Sequence, residues 1–422
     1  MNSSQRYQAY LTALKYPFMK RCRLRFLQPD GTTAFALDNN PDNKRSGAFI
    51  QEGELSCNLQ NGQRRTASVT LSNLDRAYDF NINKVWFGQQ IALDEGLVLP
   101  DGSDFYIQQG VFYVQDPQET LEPNQRIVNY NLVDKWAYLD GTLFGNLEGT
   151  YEVPVDSNIF DALRTLLLLP RGNGYPLDSV EPIITQFYNG KTQEVADRGS
   201  VLLTNTPYTL RIDSDSGTYA EVAEGLADML AAWIGYDASG ALRLDPSQDD
   251  ILDTDKPVLW AFSMSEAQLL GAAYTTNNSS VYNDYIVIGE TLDDNTQVAA
   301  RATNMDPMSD TNIYTSLGRR TVREAASGYY TVRQCEDLAV WRLKRATTLQ
   351  KSVSVSCTQM FHLEENNLIS LARTDKPGSP IERHLITGFS RPLASTEAMT
   401  VNCTSVNDYP SATVSTWPLT NP

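Results

Sequence analysis

This chain is poor in the residues on which most enzymes rely. Its 422 residues include only two histidines, His362 and His384. A nucleophilic triad needs a histidine base beside serine or cysteine. Neither histidine stands near such a motif and no Gly-x-Ser-x-Gly occurs, so both read as structural. Five cysteines, Cys22, Cys57, Cys335, Cys357 and Cys403, are scattered without a Cys-x-x-Cys pair. That spacing argues against zinc and for small buried hydrophobes in a reducing compartment. Glycine-rich phosphate loops of either common type are missing. No stretch approaches the ~20 apolar residues of a membrane span, and the N-terminus shows no apolar signal-peptide core. Positive charge is also scarce. Lysine and arginine total 34 against 51 acids, a formal net charge of −17 at pH 7. Binding that neutralises nucleic-acid phosphates needs clustered Lys and Arg, so such a role is disfavoured.

The acids that are plentiful mark no site. Asp213-Ser214-Asp215-Ser216-Gly217 resembles the start of a calcium loop, but glycine stands where the fifth position needs an oxygen ligand; the segment reads as a turn capping the next helix. Asp249, Asp250, Asp253 and Asp255 read as a solvated linker. Two facing carboxylates could hydrolyse glycosides, yet nothing singles out a pair. No catalytic, cofactor-binding or metal-ligating residue is therefore assigned, and no cofactor is implied.

What is present is alternation. Strands are expected at Arg21 to Gln28 and Thr32 to Leu37, then in a hairpin where Leu55, Cys57 and Leu59 face in, Asn61-Gly62 makes a type I′ turn and Arg64 to Leu71 returns. Gly88 to Leu93, Phe105 to Val114 and Arg126 to Val133 follow, with Gly96, Asp101-Gly102 and Pro117 as punctuation. Asp156 or Ser157 caps a helix running to Leu169. Tyr219 begins a second helix whose apolar face is Val222, Leu226, Met229, Leu230 and Trp233, with Gly235 as its left-handed cap. A hairpin turning at Ala238-Ser239-Gly240 comes next. After Val258 to Phe262, strands are expected at Tyr282 to Gly289, Val298 to Ala302, Lys351 to Thr358, Leu368 to Leu371, Arg383 to Phe389 and Ala398 to Thr404. A helix capped by Thr331 interrupts them. The pattern is mainly β with an α+β insert: two tube-like β-barrel or sandwich domains, residues 18–140 and 263–408, flank a smaller α/β domain at 141–262. Residues 1–17 read as a helical arm, with Tyr7, Tyr10, Leu11 and Leu14 on one side. Residues 409–422 read as a loose tail.

An ordered set of motifs carries a family resemblance. Gly53-Glu54-Leu55-Ser56 leads to Arg64-Arg65-Thr66-Ala67-Ser68-Val69-Thr70-Leu71 and Asn73-Leu74-Asp75. Gly110-Val111-Phe112-Tyr113-Val114 precedes Asn131-Leu132-Val133-Asp134-Lys135. Asp237 and Gly240-Ala241-Leu242 follow, then Asn283-Asp284-Tyr285-Ile286-Val287-Ile288-Gly289 and Leu317-Gly318-Arg319-Arg320. In this order, over roughly residues 20 to 405, the chain resembles baseplate or tail-tip hub proteins of tailed bacteriophages, which are similar to the hub part of VgrG-type spike proteins. The resemblance implies a non-enzymatic homotrimer whose two barrels per chain close a pseudo-sixfold ring in the virion. Implied partners are a distal tail or tail tube protein, the tape measure protein, and tip, spike or fibre proteins, with synthesis in the host cytoplasm. An acid-lined channel would pass DNA without binding it. Any lysozyme, peptidase or fibre activity would lie on other proteins.

Two other readings compete. A virion-associated carbohydrate-active enzyme would need a cleft with facing carboxylates. A host-receptor-binding tail protein would show an exposed aromatic platform. Trp86, Trp136 and Trp233 are candidates for one, although their apolar surroundings favour core packing.

Overall fold

Residues of alternating polarity form strands because the pleat sends successive side chains to opposite faces. The computed structural model follows that pattern. The structure describes residues 3–28, 31–40, 50–74, 76–81, 85–171, 174–184, 205–206, 209–213, 217–230, 232–246, 257–276, 281–292, 295–326, 329, 331–347, 351–373, 378, 381–405 and 412–416. Helix α1 (Ser3–Ala13) precedes seven strands: β1 (Lys20–Leu27), β2 (Thr33–Asp38), β3 (Ile50–Asn58), β4 (Arg65–Ser72), β5 (Ile91–Val98), β6 (Asp104–Glu122) and β7 (Gln125–Asp134). A 3-10 turn follows at Lys135–Tyr138. The middle of the chain holds β8 (Tyr151–Val153), α2 (Ile159–Leu167), β9 (Ile183–Ile184), β10 (Leu210–Ile212), α3 (Tyr219–Met229), β11 (Ala232–Tyr236) and β12 (Leu242–Pro246). Next come β13 (Val258–Ser263), β14 (Leu269–Thr276), β15 (Asp284–Thr291), β16 (Gln297–Asn304), β17 (Thr321–Ala325) and α4 (Val332–Thr347). The last elements are β18 (Lys351–Cys357), β19 (Leu368–Ala372), β20 (Glu382–Pro392), β21 (Met399–Ser405) and β22 (Ala412–Thr416).

Contacts divide the chain into two compact units. The larger comprises residues 1–273 and 354–403, the smaller residues 274–353 and 404–422. The strands after residue 263 are thus shared between both. In the 13-stranded sheet the order is β14-β18-β21-β20-β3-β4-β7-β6-β5-β1-β2, with β19 joining β13 to β20. The junction is antiparallel, Phe389 of β20 opposite Cys57 of β3. Along β4, Arg65, Ala67, Val69 and Leu71 are buried while Thr66 and Ser68 are exposed. An arginine therefore occupies a core-facing register position.

Several local expectations are revised. The β3–β4 hairpin forms, with Cys57 opposite Arg65, but neither Asn61 nor Gly62 has the positive φ that a type I′ turn requires. Gly62 is needed for another reason: a Cβ there would lie 2.3 Å from the Trp136 indole, which packs on its Cα. Gly62→Ala should cost about 1–3 kcal/mol by overpacking, measurable as a fall in the urea midpoint. An unchanged midpoint would mean that the indole moves freely. Gly96 and Pro117 do not separate strands. Gly96 lies within β5 opposite Tyr106, where a Cβ would meet the Phe105 carbonyl. Pro117 lies at a bulge between Gln115 and Gln118, beyond which β6 runs on beside β7. The residues read as an arm pack down: Tyr10 and Leu14 are buried, and the Tyr10 and Phe105 rings stack with centroids 5.1 Å apart.

The insert has its own core, centred on Leu163, Leu166, Val222, Leu226, Tyr236 and Leu242. Asn158, rather than Asp156 or Ser157, caps α2, its side chain accepting from the Phe160 and Asp161 amides. Thr218 caps α3, which ends at Met229. Trp233 and Gly235, expected on the helix and at its cap, belong instead to β11, paired with Asp245 and Arg243 of β12. Branched and aromatic residues favour the extended state there, and the Ala238-Ser239-Gly240 turn then closes the hairpin with Gly240 at φ 79°. The turn read at Asp213 to Gly217 and the linker at Asp249 to Asp255 fall wholly or partly outside the described residues.

In the smaller unit a four-stranded sheet, β17-β15-β16-β22, carries α4. The core includes Val287, Val298, Ala300, Cys335, Ala339 and Leu343. Thr331 and Gln334 form a reciprocal capping box: each side chain accepts from the other residue's backbone N–H. Residues 412–416, expected in a loose tail, are the strand β22, antiparallel to β16 with Val414 opposite Ala302. Their β-branched Thr413, Val414 and Thr416 suit that edge.

Candidate functional site

The most elaborate arrangement of polar groups lies inside the larger unit, where three distant segments meet. Arg64 precedes β4 and Arg65 begins it. Arg243 and Asp245 stand on β12 of the insert. Glu364 and Glu365 occupy the turn before β19, which Asn366 completes at φ 63°. Arg64 Nη1 lies 2.6 Å from Asp245 Oδ2, and Arg65 Nη2 pairs with Glu365 Oε2 at 2.5 Å. Arg243 reaches Asp245 through Nε and Glu365 through Nη2, both at 3.0 Å. Asn366 Nδ2 donates to Asp245 Oδ1 at 3.0 Å, and Cys57 Sγ donates to Glu365 Oε2 at 3.2 Å. Gly235 makes room for this cluster, since a Cβ there would sit 2.4 Å from Arg64 Nε. The glycine expected as a helix cap is the floor on which the Arg64 side chain lies.

A second knot adjoins the first through Gln109. Its carbonyl accepts from Arg65 Nη1 at 2.8 Å, and its side-chain oxygen accepts from Arg391. Arg391 Nε pairs with Glu95 Oε2 at 2.5 Å, and Lys20 Nζ with Glu95 Oε1 at 2.8 Å. The arginine also lies over the Phe389 and Phe361 rings. Cationic Lys20, Arg64, Arg65, Arg243 and Arg391 thus face the carboxyls of Glu95, Asp134, Asp245, Glu364 and Glu365. Burial alone would raise the Glu365 pKa, but the Arg65, Arg243 and Arg64 guanidiniums reverse this and hold it below the usual range. Burial lifts Asp134 to about 7, although its carboxylate accepts from the Arg65 and Trp136 amides. Glu365 and Asp134 are both buried and bound within the protein, so their opposed shifts do not by themselves mark an acid–base pair. Chemically the cluster is a clamp: removing any one member would leave its partner charge buried and uncompensated.

Nearby, Phe361 N–H donates to Tyr10 Oη and the Tyr10 hydroxyl lies 2.9 Å from His362 Nδ1. Tyr10 Oη and His362 Nδ1 share one hydrogen bond, whose donor is set by the tautomer of the ring. Burial and Arg391 depress the His362 pKa to about 4. His384, lowered chiefly by burial, contacts Glu382. Neither histidine contacts a cysteine or serine in these bonds. The five cysteines are free and buried.

The tryptophans separate. Trp136 is buried in the core of the insert and Trp233 is half-buried. Trp86, expected in a core, is 39% exposed and Phe87 is 55% exposed. Trp86 stacks on Phe80 and Phe87 meets both rings edge-on, with centroids 4.8–5.1 Å apart, and Glu119 borders the cluster by accepting from the Phe80 amide at 3.3 Å. Sequence reading missed the ion cluster, and it named Trp86 as a platform candidate while favouring a place in the core for it. The available signal was an arginine at an inward position of an alternating strand, which requires a buried partner.

The mainly β architecture with an inserted α+β segment is the fold of phage and prophage tail proteins. The 43 kDa tail protein of prophage MuSo2 from Shewanella oneidensis is 13% identical, with 91% of this chain and 98% of that one superposed at a TM-score of 0.57. A tail protein from Neisseria meningitidis is 8% identical over 93% and 97% of the two chains, at a TM-score of 0.60. A chain of the Francisella PdpA–VgrG complex is 10% identical over 96% of this chain and 61% of its own length, at a TM-score of 0.53. These structures meet the resemblance read from the motifs. No protein-family model matches the chain, and no curated protein is similar to it in sequence.

Proposed function

We propose that this chain is a structural hub of a bacteriophage tail tip or baseplate. Three copies, each supplying two tube-like β modules, close a pseudo-sixfold ring that joins the tail tube to the tip. The observation that carries this reading is a fold shared with tail proteins over more than nine-tenths of both chains. The partners are a distal tail or tube protein, the tape measure protein, and tip, spike or fibre proteins. A surplus of 17 acidic charges suits a channel that repels DNA phosphates. No catalysis is assigned to the chain, and its place is the virion tail tip.

Single-particle electron microscopy of the protein, alone and with its neighbouring tail proteins, tests the proposal. A threefold ring with an open acidic channel is expected. Persistent monomers in the presence of those proteins would overturn it. The exposed Phe80–Trp86–Phe87 cluster favours a second role, contact with a host surface glycan. Glycan-array binding lost in Trp86→Ala would support that role, and absence of binding by the parent protein would remove it.

A further inference from the structure

Helix α1 depends on the surface it docks on. At 11 residues it is shorter than an isolated helix needs to persist in water. It has neither an acid in its first turn nor a base in its last to favour the helix dipole. Its outer side, Ser3, Ser4, Gln5, Gln8 and Thr12, is exposed. Its inner side lies on β6 and on the segment before β19. Arg6 Nη2 donates to the Asp104 carbonyl at 2.6 Å. The Tyr7 and Tyr10 rings meet the His362 ring edge-on, with centroids 6.4 and 5.6 Å away. Tyr10 Oη accepts from the Phe361 amide and shares its other bond with His362 Nδ1. Lys15, Tyr16 and Pro17 connect α1 to β1 and are exposed, so the helix can leave without drawing a strand with it.

His362 pins this junction, and its surroundings suit only a neutral ring. An imidazolium donates from both nitrogens. Nε2 is buried and has no hydrogen-bond partner among the described residues. The Trp260 indole of β13, with centroid 5.5 Å away, brings no charge. Burial keeps the Tyr7 and Tyr10 hydroxyls of α1 protonated. The charge that reaches the ring is Arg391 of β20, a cation. Lys20 of β1, over the Phe361 ring, pairs with Glu95. Glu364 and Glu365, next in the chain, face Arg65 and Arg243. We propose that α1 is an acid-released latch: protonation of His362 undocks α1 as a unit and opens the Phe105–Phe361 surface to water while the large sheet stays folded. The sheet is spared because the clamp carboxyl Glu365 keeps its charge below the usual range. The sign follows from burial. The docked ring has a pKa of about 4, and a ring uncovered by the departure of α1 returns toward about 6.5. Docking is therefore at full strength above pH 6.5 and weakens as pH falls toward 4. Between pH 7 and 5, undocking should become about twentyfold more frequent.

Amide hydrogen exchange of the full chain at pH 7, 6 and 5, corrected for the intrinsic pH dependence of exchange, tests the latch. Peptides covering residues 3–14 should lose about twentyfold of their protection between pH 7 and 5. At each pH they should remain about a hundredfold or more below the peptides of β4 and β7, because a latch opens alone. His362→Gln stays neutral and should flatten the pH dependence of α1. His362→Phe, also neutral, covers the case in which glutamine disturbs docking. Constant protection of α1 in the parent across this range would overturn the proposal. Equal protection of α1 and β4 at every pH would show that they open together, and the latch would fall. A twentyfold loss that persists in both variants would overturn the role of His362.

Discussion

Glu365→Ala should destabilise the larger unit by about 3–5 kcal/mol, the cost typical of removing one partner from a buried charge pair. Glu365 is fully buried and faces three guanidiniums, those of Arg65, Arg243 and Arg64. Without its carboxylate, Arg65 keeps the Gln109 carbonyl and a distant Glu364, at 4.0 Å. Arg243 keeps Asp245. Net positive charge would then lie away from water with no counter-ion to replace the lost one. Urea unfolding followed by tryptophan fluorescence would show the loss as a lower midpoint. Glu365→Gln restores volume but not charge, so it should recover less than half of the loss. A cost below about 1 kcal/mol for the alanine variant would show that Glu364 swings in to take over, and the clamp would then be redundant.

Acid should act on a second buried group with nearly the same force. His362 has a folded-state pKa of about 4, against an unperturbed value of about 6.5. Between those values the unfolded chain binds a proton that the folded chain refuses, so stability falls as pH drops from 6.5 to 4. The whole interval corresponds to about 3 kcal/mol at 1.36 kcal/mol per pH unit. His384 is shifted in the same direction and adds to the slope. Glu365, whose pKa is lowered, adds stability above its unfolded pKa that is lost as pH falls through the folded one. His362→Gln removes the first contribution and leaves the other two. Denaturant midpoints of parent and variant at pH 6.5 and 4 should therefore differ in their pH dependence by about 3 kcal/mol. Identical slopes would mean that the imidazole is hydrated and titrates normally. The sign has a structural consequence: acid loosens the junction of α1 with the segment around Phe361, where Tyr10 and His362 meet.

The two sites illustrate how a clamp differs from a catalytic centre. Opposed pKa values do not make a catalytic pair unless the carboxyls also reach substrate. Here Glu365 is held ionised by arginines on every side, and Asp134 is pushed up by burial while its oxygens accept backbone amides. Each group is fully engaged in joining segments. Those segments are far apart in sequence: Arg64 and Asp245 lie 181 residues apart, Arg65 and Glu365 lie 300 apart.

That separation explains what the sequence by itself determined. Alternation with period two is a local property, so Leu55, Cys57, Ala67, Val69 and Leu71 marked β3 and β4 correctly, and Val353, Val355 and Cys357 marked β18. Capping is equally local, which is why Thr331 was legible as the start of α4. The general fold class followed from many such signals in order. Only the tertiary structure decided the rest. Trp233 continues a helical spacing, yet pairing of β11 with β12 draws it into a strand. Gly62 and Gly235 looked like turn and cap residues, but their lack of a Cβ serves Trp136 and Arg64. The junction of β3 with β20 and the arginine–carboxylate clamp depend on contacts between residues hundreds of positions apart. Local propensity carries no record of such partners, and a buried charge signals only that a partner must exist, not where in the chain it will be found.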